Sequence, residues 1–120
     1  MSRDPGLFLQ DILEACAKLT QLIDGVDLRA FSEDWRTRDA VLHNLEVIGE
    51  AVKRIPEELK TKAPGIPWRR IAGFRDVLVH GYFSLDDAIV WDVARNETGP
   101  LAQEVGRLLR ELDRGLADQP

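Results

Sequence analysis

The sequence predicts an all-α fold, an up-and-down bundle of four principal helices with one or two short extra helical turns. Apolar residues recur at helical spacing in several long segments, and no segment alternates at period two for long enough to indicate a strand. Prolines and glycines separate these segments where helices would end. The 120 residues are expected to form a single domain, since a chain of this length can bury a hydrophobic core large enough to fold without disulfide bonds or metal ions.

The first helix is predicted from Pro5 to about Asp24. Asp4 is a good N-cap, Pro5 suits the first helical position, and Gly25 is a residue type that ends helices. One further turn of helix is expected from Leu28 to Phe31. The apolar positions of the first helix recur at helical spacing and are Leu9, Ile12, Leu13, Cys16, Leu19 and Ile23.

The second long helix is predicted to begin near residues 32–34 and to end before Pro56. Its expected apolar face starts at Trp35. The other members of this face are Val41, Leu42, Leu45, Ile48, Val52 and Ile55. Residues 56–67 contain three prolines and one glycine, so they are predicted to form a basic loop with at most a brief helical turn.

The third long helix is predicted to start at Pro67-Trp68 and to continue to His80. Gly81 is expected to close it, because glycine most easily adopts the left-handed conformation found at helix ends. This prediction places His80 at a helix C-terminus.

The last helical region is predicted to begin at residues 84–87, which form a good N-terminal signal. Gly99-Pro100 must kink or break it. The apolar pattern resumes afterwards and continues to about Asp113, and residues 115–120 are expected to fray.

Composition argues against several classes of protein. No apolar run approaches the roughly 18 residues that cross a bilayer, and the N-terminus lacks the zones of a secretory signal. The cytoplasm is therefore the expected location. Cys16 is the only cysteine, which excludes an internal disulfide and a zinc site built on paired cysteines.

Charge is distributed unevenly along the chain. The net charge is -5, yet the segment from Lys53 to Arg75 contains seven basic and two acidic residues, against nine basic and nineteen acidic elsewhere. This segment is either a solvated charged loop or an edge that faces a polyanion.

His43, Glu46 and Glu50 are spaced to share one stripe of the second long helix. A di-iron bundle needs Glu-x-x-His on each of two helices, whereas this chain has His-x-x-Glu once, so neither a metal nor another cofactor is expected. A histidine phosphotransfer domain usually has lysine three residues after its histidine. Glu46 occupies that position here and would repel a phosphate.

The stretch FRDVLVHGYF, residues 74–83, holds Arg75, His80 and the only tyrosine, Tyr82, in the spacing R-x4-H-x-Y. A purely structural interpretation is available for each residue. His80 would interact as a cation with the end of its helix, Arg75 would pair with a glutamate on a neighbouring helix, and Tyr82 would pack its ring.

Three blocks of the sequence resemble the HepT-like toxins of the HEPN superfamily. They are RDAVLHNLEVIGEAVKRIP (residues 38–56), IPWRRIAGFRDVLVHGYF (residues 66–83) and the region from Asp87 to Trp91. The resemblance implies a metal-independent endoribonuclease toxin, encoded beside a small nucleotidyltransferase that acts as its antitoxin. It also implies that Arg75 and His80 are the catalytic pair and that the antitoxin modifies Tyr82 with AMP.

Metal-free cleavage of RNA needs a base for the 2'-hydroxyl, an acid for the leaving 5'-oxygen and positive charge on the phosphorane. His80 suits the proton transfers and Arg75 suits the phosphate. A second proton carrier has to come from His43 or from a second copy of the chain, and we predict a homodimer with an intersubunit site, as the resemblance also implies. Nearby cations that could contact RNA phosphates are Lys53, Lys60, Lys62, Arg69 and Arg70.

One geometric condition accompanies this prediction. Five residues along a regular α-helix turn through about 140°, so Arg75 reaches His80 only if the helix end distorts or the arginine side chain extends around the helix. The stripe from Asn44 to Glu50 could line the cleft without a catalytic role. The alternative function is a non-catalytic HEPN module that binds a nucleotide or a nucleotidyltransferase partner.

Overall fold

The structure, a computed structural model, describes residues 3–81 and 84–117. These residues form seven helices and no strand, which confirms the predicted all-α class. The helices are α1 (Pro5–Ile23), α2 (Leu28–Glu33), α3 (Trp35–Arg54), α4 (Glu57–Lys60), α5 (Trp68–His80), α6 (Asp87–Asn96) and α7 (Thr98–Ala117). None of the helices in the described ranges is both long and apolar enough to cross a bilayer.

Helix α1 begins and ends as its flanking residues predict. The Asp4 carboxylate accepts a hydrogen bond from the backbone N–H of Gly6 at 2.9 Å, and Pro5 is the first helical residue. Gly25 follows the helix with φ 70°, a left-handed conformation that glycine adopts without strain. The predicted turn after it is α2, which continues two residues beyond Phe31.

Asp34 caps helix α3 with three hydrogen bonds. Its carboxylate accepts from the backbone N–H groups of Arg36 and Thr37 at 3.1 and 3.5 Å, and from the Thr37 hydroxyl at 2.8 Å. The hydroxyl of Thr37 is the main reason why the pKa of Asp34 lies below its ordinary value.

This cap predicts how stability depends on pH. The pKa of Asp34 is lower in the folded state, so its contribution to the free energy of unfolding is present above the unfolded pKa of about 3.9. It is lost as the pH falls through the folded pKa. Asp34→Asn keeps a good capping residue without a titrating group. Its melting temperature should therefore fall less steeply below about pH 4 than that of the unchanged protein, and parallel curves for the two proteins would contradict this assignment.

The core lies between the long helices. Helix α1 packs against α3 and α7, and α3 packs against α5. The fully buried side chains with the largest volumes come from six helices and are Phe31, Leu9, Ile12, Leu19, Leu78, Leu108, Val41, Val52, Val90 and Val105. Helix α5 buries Trp68 and Leu78, and several of its other apolar residues, among them Ile71 and Phe74, are partly buried against the core.

Helix α6 is fixed to the bundle by polar contacts. The Arg38 Nε atom of α3 lies 2.7 Å from an Asp87 carboxylate oxygen at the start of α6. The Trp91 Nε1–H donates to the backbone carbonyl of Val26 at 3.1 Å. The region from Asp87 to Trp91 therefore joins α6 both to α3 and to the connection before α2.

The structure differs from the sequence expectation at Trp35 and at Gly81. Trp35 was expected on the buried face of α3, but it is 66% exposed because it is the first residue of the helix, with Arg36 stacked over its ring. Gly81 has φ -115° and is therefore not left-handed. Helix α5 instead ends with an ordinary hydrogen bond from the Gly81 N–H to the Val77 carbonyl, at 2.8 Å.

The last helical region divides into two helices, as the break at Gly99-Pro100 predicts. The break lies slightly earlier than these residues, since α6 ends at Asn96 and Thr98 begins α7. Proline is tolerated in a first helical turn, where its missing N–H costs no hydrogen bond. Helix α7 continues to Ala117, four residues beyond the predicted end near Asp113.

Candidate functional site

Helix α5 carries Arg75 and His80, and the two side chains have different surroundings. The Arg75 side chain is 25% exposed and lies against α3, whereas His80 is exposed at the last position of the helix. The helix is regular through His80, so the distortion considered above does not occur. On this regular helix the two positions lie about 140° apart, and the Arg75 guanidinium contacts Glu50 and Asp76.

Gly49 determines how closely α5 approaches α3. A Cβ atom built on Gly49 would lie 2.1 Å from the Cβ of Arg75 and 2.5 Å from its Cγ. Real Cβ atoms do not come so close, so only glycine allows the stem of Arg75 to rest on the α3 backbone. No role for Gly49 follows from the helical pattern of α3 alone. The sequence does contain one indication, because a glycine inside a helical pattern often marks a place where another part of the chain packs closely against the helix.

The guanidinium of Arg75 is held by two carboxylates. Its Nη2 lies 3.1 Å from a Glu50 oxygen and its Nη1 lies 3.3 Å from an Asp76 oxygen. Arg54 binds the other oxygen of Glu50 at 3.1 Å, and Lys53 also binds Asp76. The predicted structural interpretation of Arg75, a pair with a glutamate of a neighbouring helix, is therefore observed.

These five residues form the Arg75 charge network, which carries three positive and two negative side chains. The hydrogen bond from Lys53 is the main reason why the pKa of Asp76 is lowered, followed by that from Arg75. A guanidinium has five N–H donors, so the two carboxylate contacts leave donors of Arg75 available to a phosphate.

A polar cleft lies beside this network, between α1 and α3. It has a volume of about 840 Å³, and Arg75 of α5 is one of the residues that line it. Its other principal residues are Phe8 and Asp11 of α1 and His43, Glu46 and Glu50 of α3. We call it the α1–α3 cleft. The stripe predicted from sequence thus lines a cleft, and α1 contributes residues that the sequence analysis did not include.

Asn44 is the exception within that stripe. Its side chain is buried, with 7% of the residue exposed, and its Nδ2–H donates to the Ala40 carbonyl at 2.9 Å. Asn44 is therefore part of the packing inside α3 and does not line the cleft. No group of three or more His, Cys, Asp or Glu side chains in the described part of the chain is placed to hold a metal ion.

The five cations proposed to contact RNA fall into two groups. Lys53, Lys60 and Arg70 form ion pairs with Asp76, Glu57 and Glu97, respectively. Lys62 and Arg69 are exposed, and neither forms an ion pair with any described residue. Tyr82, the proposed modification site, lies outside the described residues.

Comparison with known proteins gives the same family as the sequence motifs. The family model "Ribonuclease HepT-like" matches residues 12–108. The chain belongs to the HepT-like ribonuclease family. The matched range contains all of α3 and α5, and with them Gly49, Glu50, Arg75 and His80, while Arg3 and Phe8 of the cleft precede it.

Several proteins resemble this HepT-like chain over most of their length. "Putative RNase MJ0127" of Methanocaldococcus jannaschii is 35% identical over 111 residues, which are 92% of each chain. "Putative RNase TTE0752" of Caldanaerobacter subterraneus is 35% identical over 91% of this chain and 97% of its own. "Probable ribonuclease HepT" of Thermococcus cleftensis is 35% identical over 90% and 98%. No solved structure gives a significant match.

Proposed function

We propose that this protein is an endoribonuclease that cleaves RNA without a metal ion, by attack of the ribose 2'-hydroxyl on the adjacent phosphate. The proposal rests on one observation above the others. In a HepT-like ribonuclease chain, helix α5 presents a fixed arginine, Arg75, beside an open cleft and an exposed histidine, His80, at its end.

Each residue has a role that its surroundings support. His80 is accessible to solvent and substrate, so it can take the 2'-hydroxyl proton or give a proton to the leaving 5'-oxygen. Arg75 donates to the phosphate and stabilises the negative charge that develops on the phosphorane. Its contacts with Glu50 and Asp76 fix the guanidinium before substrate binds.

The separation of Arg75 from His80 within one protomer favours a homodimer. Val77 and Val79 are 55% and 41% exposed on the same helical turn as His80. A second copy that covers these valines about a two-fold axis brings two His80 side chains to one cleft. One histidine then acts as base and the other as acid. Of the five cations proposed from the sequence, Lys62 and Arg69 form no ion pair with a described residue, and they are the foremost candidates for guiding RNA to that cleft.

We further propose that the protein is the toxin of a toxin–antitoxin pair. A partner nucleotidyltransferase would neutralise it by transferring AMP to Tyr82, two residues after His80. The added phosphate and nucleoside would repel and block RNA beside the catalytic histidine.

Tyr82→Phe tests this regulation directly, since it removes only the hydroxyl that accepts AMP. We expect the variant to keep its ribonuclease activity and to remain active after incubation with the partner nucleotidyltransferase and ATP. The unchanged protein, treated in the same way, should lose activity and gain the mass of one AMP group. Neutralisation of the variant by a catalytically active partner would refute this assignment.

A second function has one observation in its favour. Both described contacts of the Arg75 guanidinium are to carboxylates of the same protomer, an arrangement that would equally suit a module that binds a nucleotide or a nucleotidyltransferase without turnover.

The experiment that decides between these functions is cleavage of total cellular RNA by the purified protein in EDTA, with analysis of the product ends. We expect products with 2',3'-cyclic phosphate. The His80→Ala protein, prepared in parallel, reports any contaminating nuclease. Absence of cleavage by a folded, unmodified dimer on diverse RNAs would support the binding module.

A further inference from the structure

The α1–α3 cleft contains an acidic group that the proposed cleavage does not use. Glu46 is half-buried and lines the cleft. Its acidic neighbours there are paired, since Asp11 binds Arg3 at 2.6 Å and Glu50 binds both Arg54 and Arg75. The Glu46 carboxylate makes no ion pair or side-chain hydrogen bond with any residue that the structure describes. Two acceptor oxygens are therefore available inside a partly enclosed cleft.

The same cleft offers flat surfaces on which an aromatic ring can stack. Phe8 of α1 and Val47 of α3 contribute apolar surface to it. The guanidinium of Arg3 lies over the Phe8 ring, 4.8 Å from its centroid. Nucleobases that are not paired stack on aromatic rings and on arginine planes, and proteins read them through hydrogen bonds to their Watson–Crick edges.

The position of Glu46 relative to Arg75 matches one nucleotide of RNA. The Arg75 guanidinium contacts Glu50, and Glu46 precedes Glu50 by four residues, or about 6 Å along the axis of α3. A base attached to the nucleotide whose phosphate is bound by Arg75 can therefore reach Glu46 without leaving the cleft.

We propose that the α1–α3 cleft binds an unpaired guanine base of the RNA substrate, with Glu46 as the residue that selects it. Guanine is the base whose Watson–Crick edge presents two adjacent donors, N1–H and the N2 amino group, to the two oxygens of one carboxylate. Adenine and cytosine present one donor beside a ring acceptor that would repel the second oxygen, and uracil presents one donor between two carbonyls. The inference rests on the proposed function, since it names the substrate recognised at the same site.

Binding of mononucleotides tests the base site separately from catalysis. We expect 5'-GMP, measured by isothermal titration calorimetry, to bind more tightly than 5'-AMP, 5'-CMP and 5'-UMP. Glu46→Gln replaces one acceptor oxygen with a donor, so GMP affinity should fall about tenfold or more. AMP should bind no more weakly than before, because the glutamine amide can pair with adenine's amino group and its adjacent ring acceptor. Glu111→Gln removes the same charge from α7, outside the cleft, and should leave the GMP preference intact.

A cleavage assay on short RNAs with one guanine gives the second readout. The unchanged protein should cleave beside the guanine, and Glu46→Gln should lose this preference with its circular dichroism spectrum unaltered. Equal binding of the four nucleotides, or a GMP preference that survives in Glu46→Gln, would overturn the proposal. GMP-selective binding that depends on Glu46, with no RNA cleavage, would support the base site and refute the ribonuclease function. Cleavage without guanine preference would support the ribonuclease function and refute the base site.

Discussion

Replacing His80 with alanine is expected to lower the rate of RNA cleavage by about 10²–10⁴-fold, the usual contribution of a general acid or base. His80 is exposed at the end of α5, so its removal leaves no cavity in the core. The melting temperature should therefore change little. Single-turnover cleavage of a labelled RNA by the unchanged and variant proteins, in EDTA, measures the effect on the chemical step.

His43→Ala is the matched variant, because it removes the only other histidine, which is also exposed. If the second proton carrier is the His80 of a second protomer, His43→Ala should retain most of the activity. A loss as large as that of His80→Ala would mean that both proton carriers belong to one protomer, and the argument for an intersubunit site would fail. Equal activity of His80→Ala and the unchanged protein would exclude His80 from catalysis.

Gly49→Ala is expected to disturb side-chain packing more than the same change at any other glycine of this chain. The new Cβ would lie 2.1 Å from the Cβ of Arg75, an atom fixed by the α5 backbone. Helices α3 and α5 would have to separate, and such overpacking lowers the free energy of unfolding by about 1–3 kcal/mol. Cleavage should fall as well, because the shift would break the contact between Arg75 and Glu50. Urea denaturation and the cleavage assay measure the two effects.

Gly106→Ala is the control for this change. Gly106 lies within α7, and its added Cβ would meet only the end of the flexible Arg110 side chain, at 3.4 Å. Alanine is the better helix former by roughly 0.5–1 kcal/mol, so this variant should be as stable as the unchanged protein or more stable. If Gly49→Ala were stabilising to the same extent, the close packing of Arg75 on Gly49 would be wrong.

The helix boundaries of this protein follow from local chemistry, which explains why the sequence predicted them closely. Asp4 and Pro5 start α1 where a cap and a first-turn proline should. Pro56 follows the end of α3, and the start of α5 at Trp68 coincides with its prediction. Each of these signals acts on neighbouring backbone groups, so no knowledge of distant residues is needed.

The candidate site was predictable only in part. Spacing placed His43, Glu46 and Glu50 on one face of α3, and they do line one cleft. Periodicity within α3 does not show which residues from elsewhere in the chain complete a site, so Phe8 of α1 and Arg3 before it were missed. The periodicity of apolar residues also predicted Trp35 in the core. Such a pattern cannot distinguish the first turn of a helix from the later turns that a neighbouring helix covers.

By itself, the sequence determined the all-α class, the order of the helices and the motif residues Arg75 and His80, because these depend on residue type and on spacing along one chain. Only the tertiary structure decided that Gly49 accommodates the Arg75 stem, that Glu50 and Asp76 hold its guanidinium, and that Glu46 lines a cleft in which no described residue pairs with it. The physical reason is that close packing and ion pairing depend on distances between helices. Those distances are set by the whole core and are not encoded in any single segment.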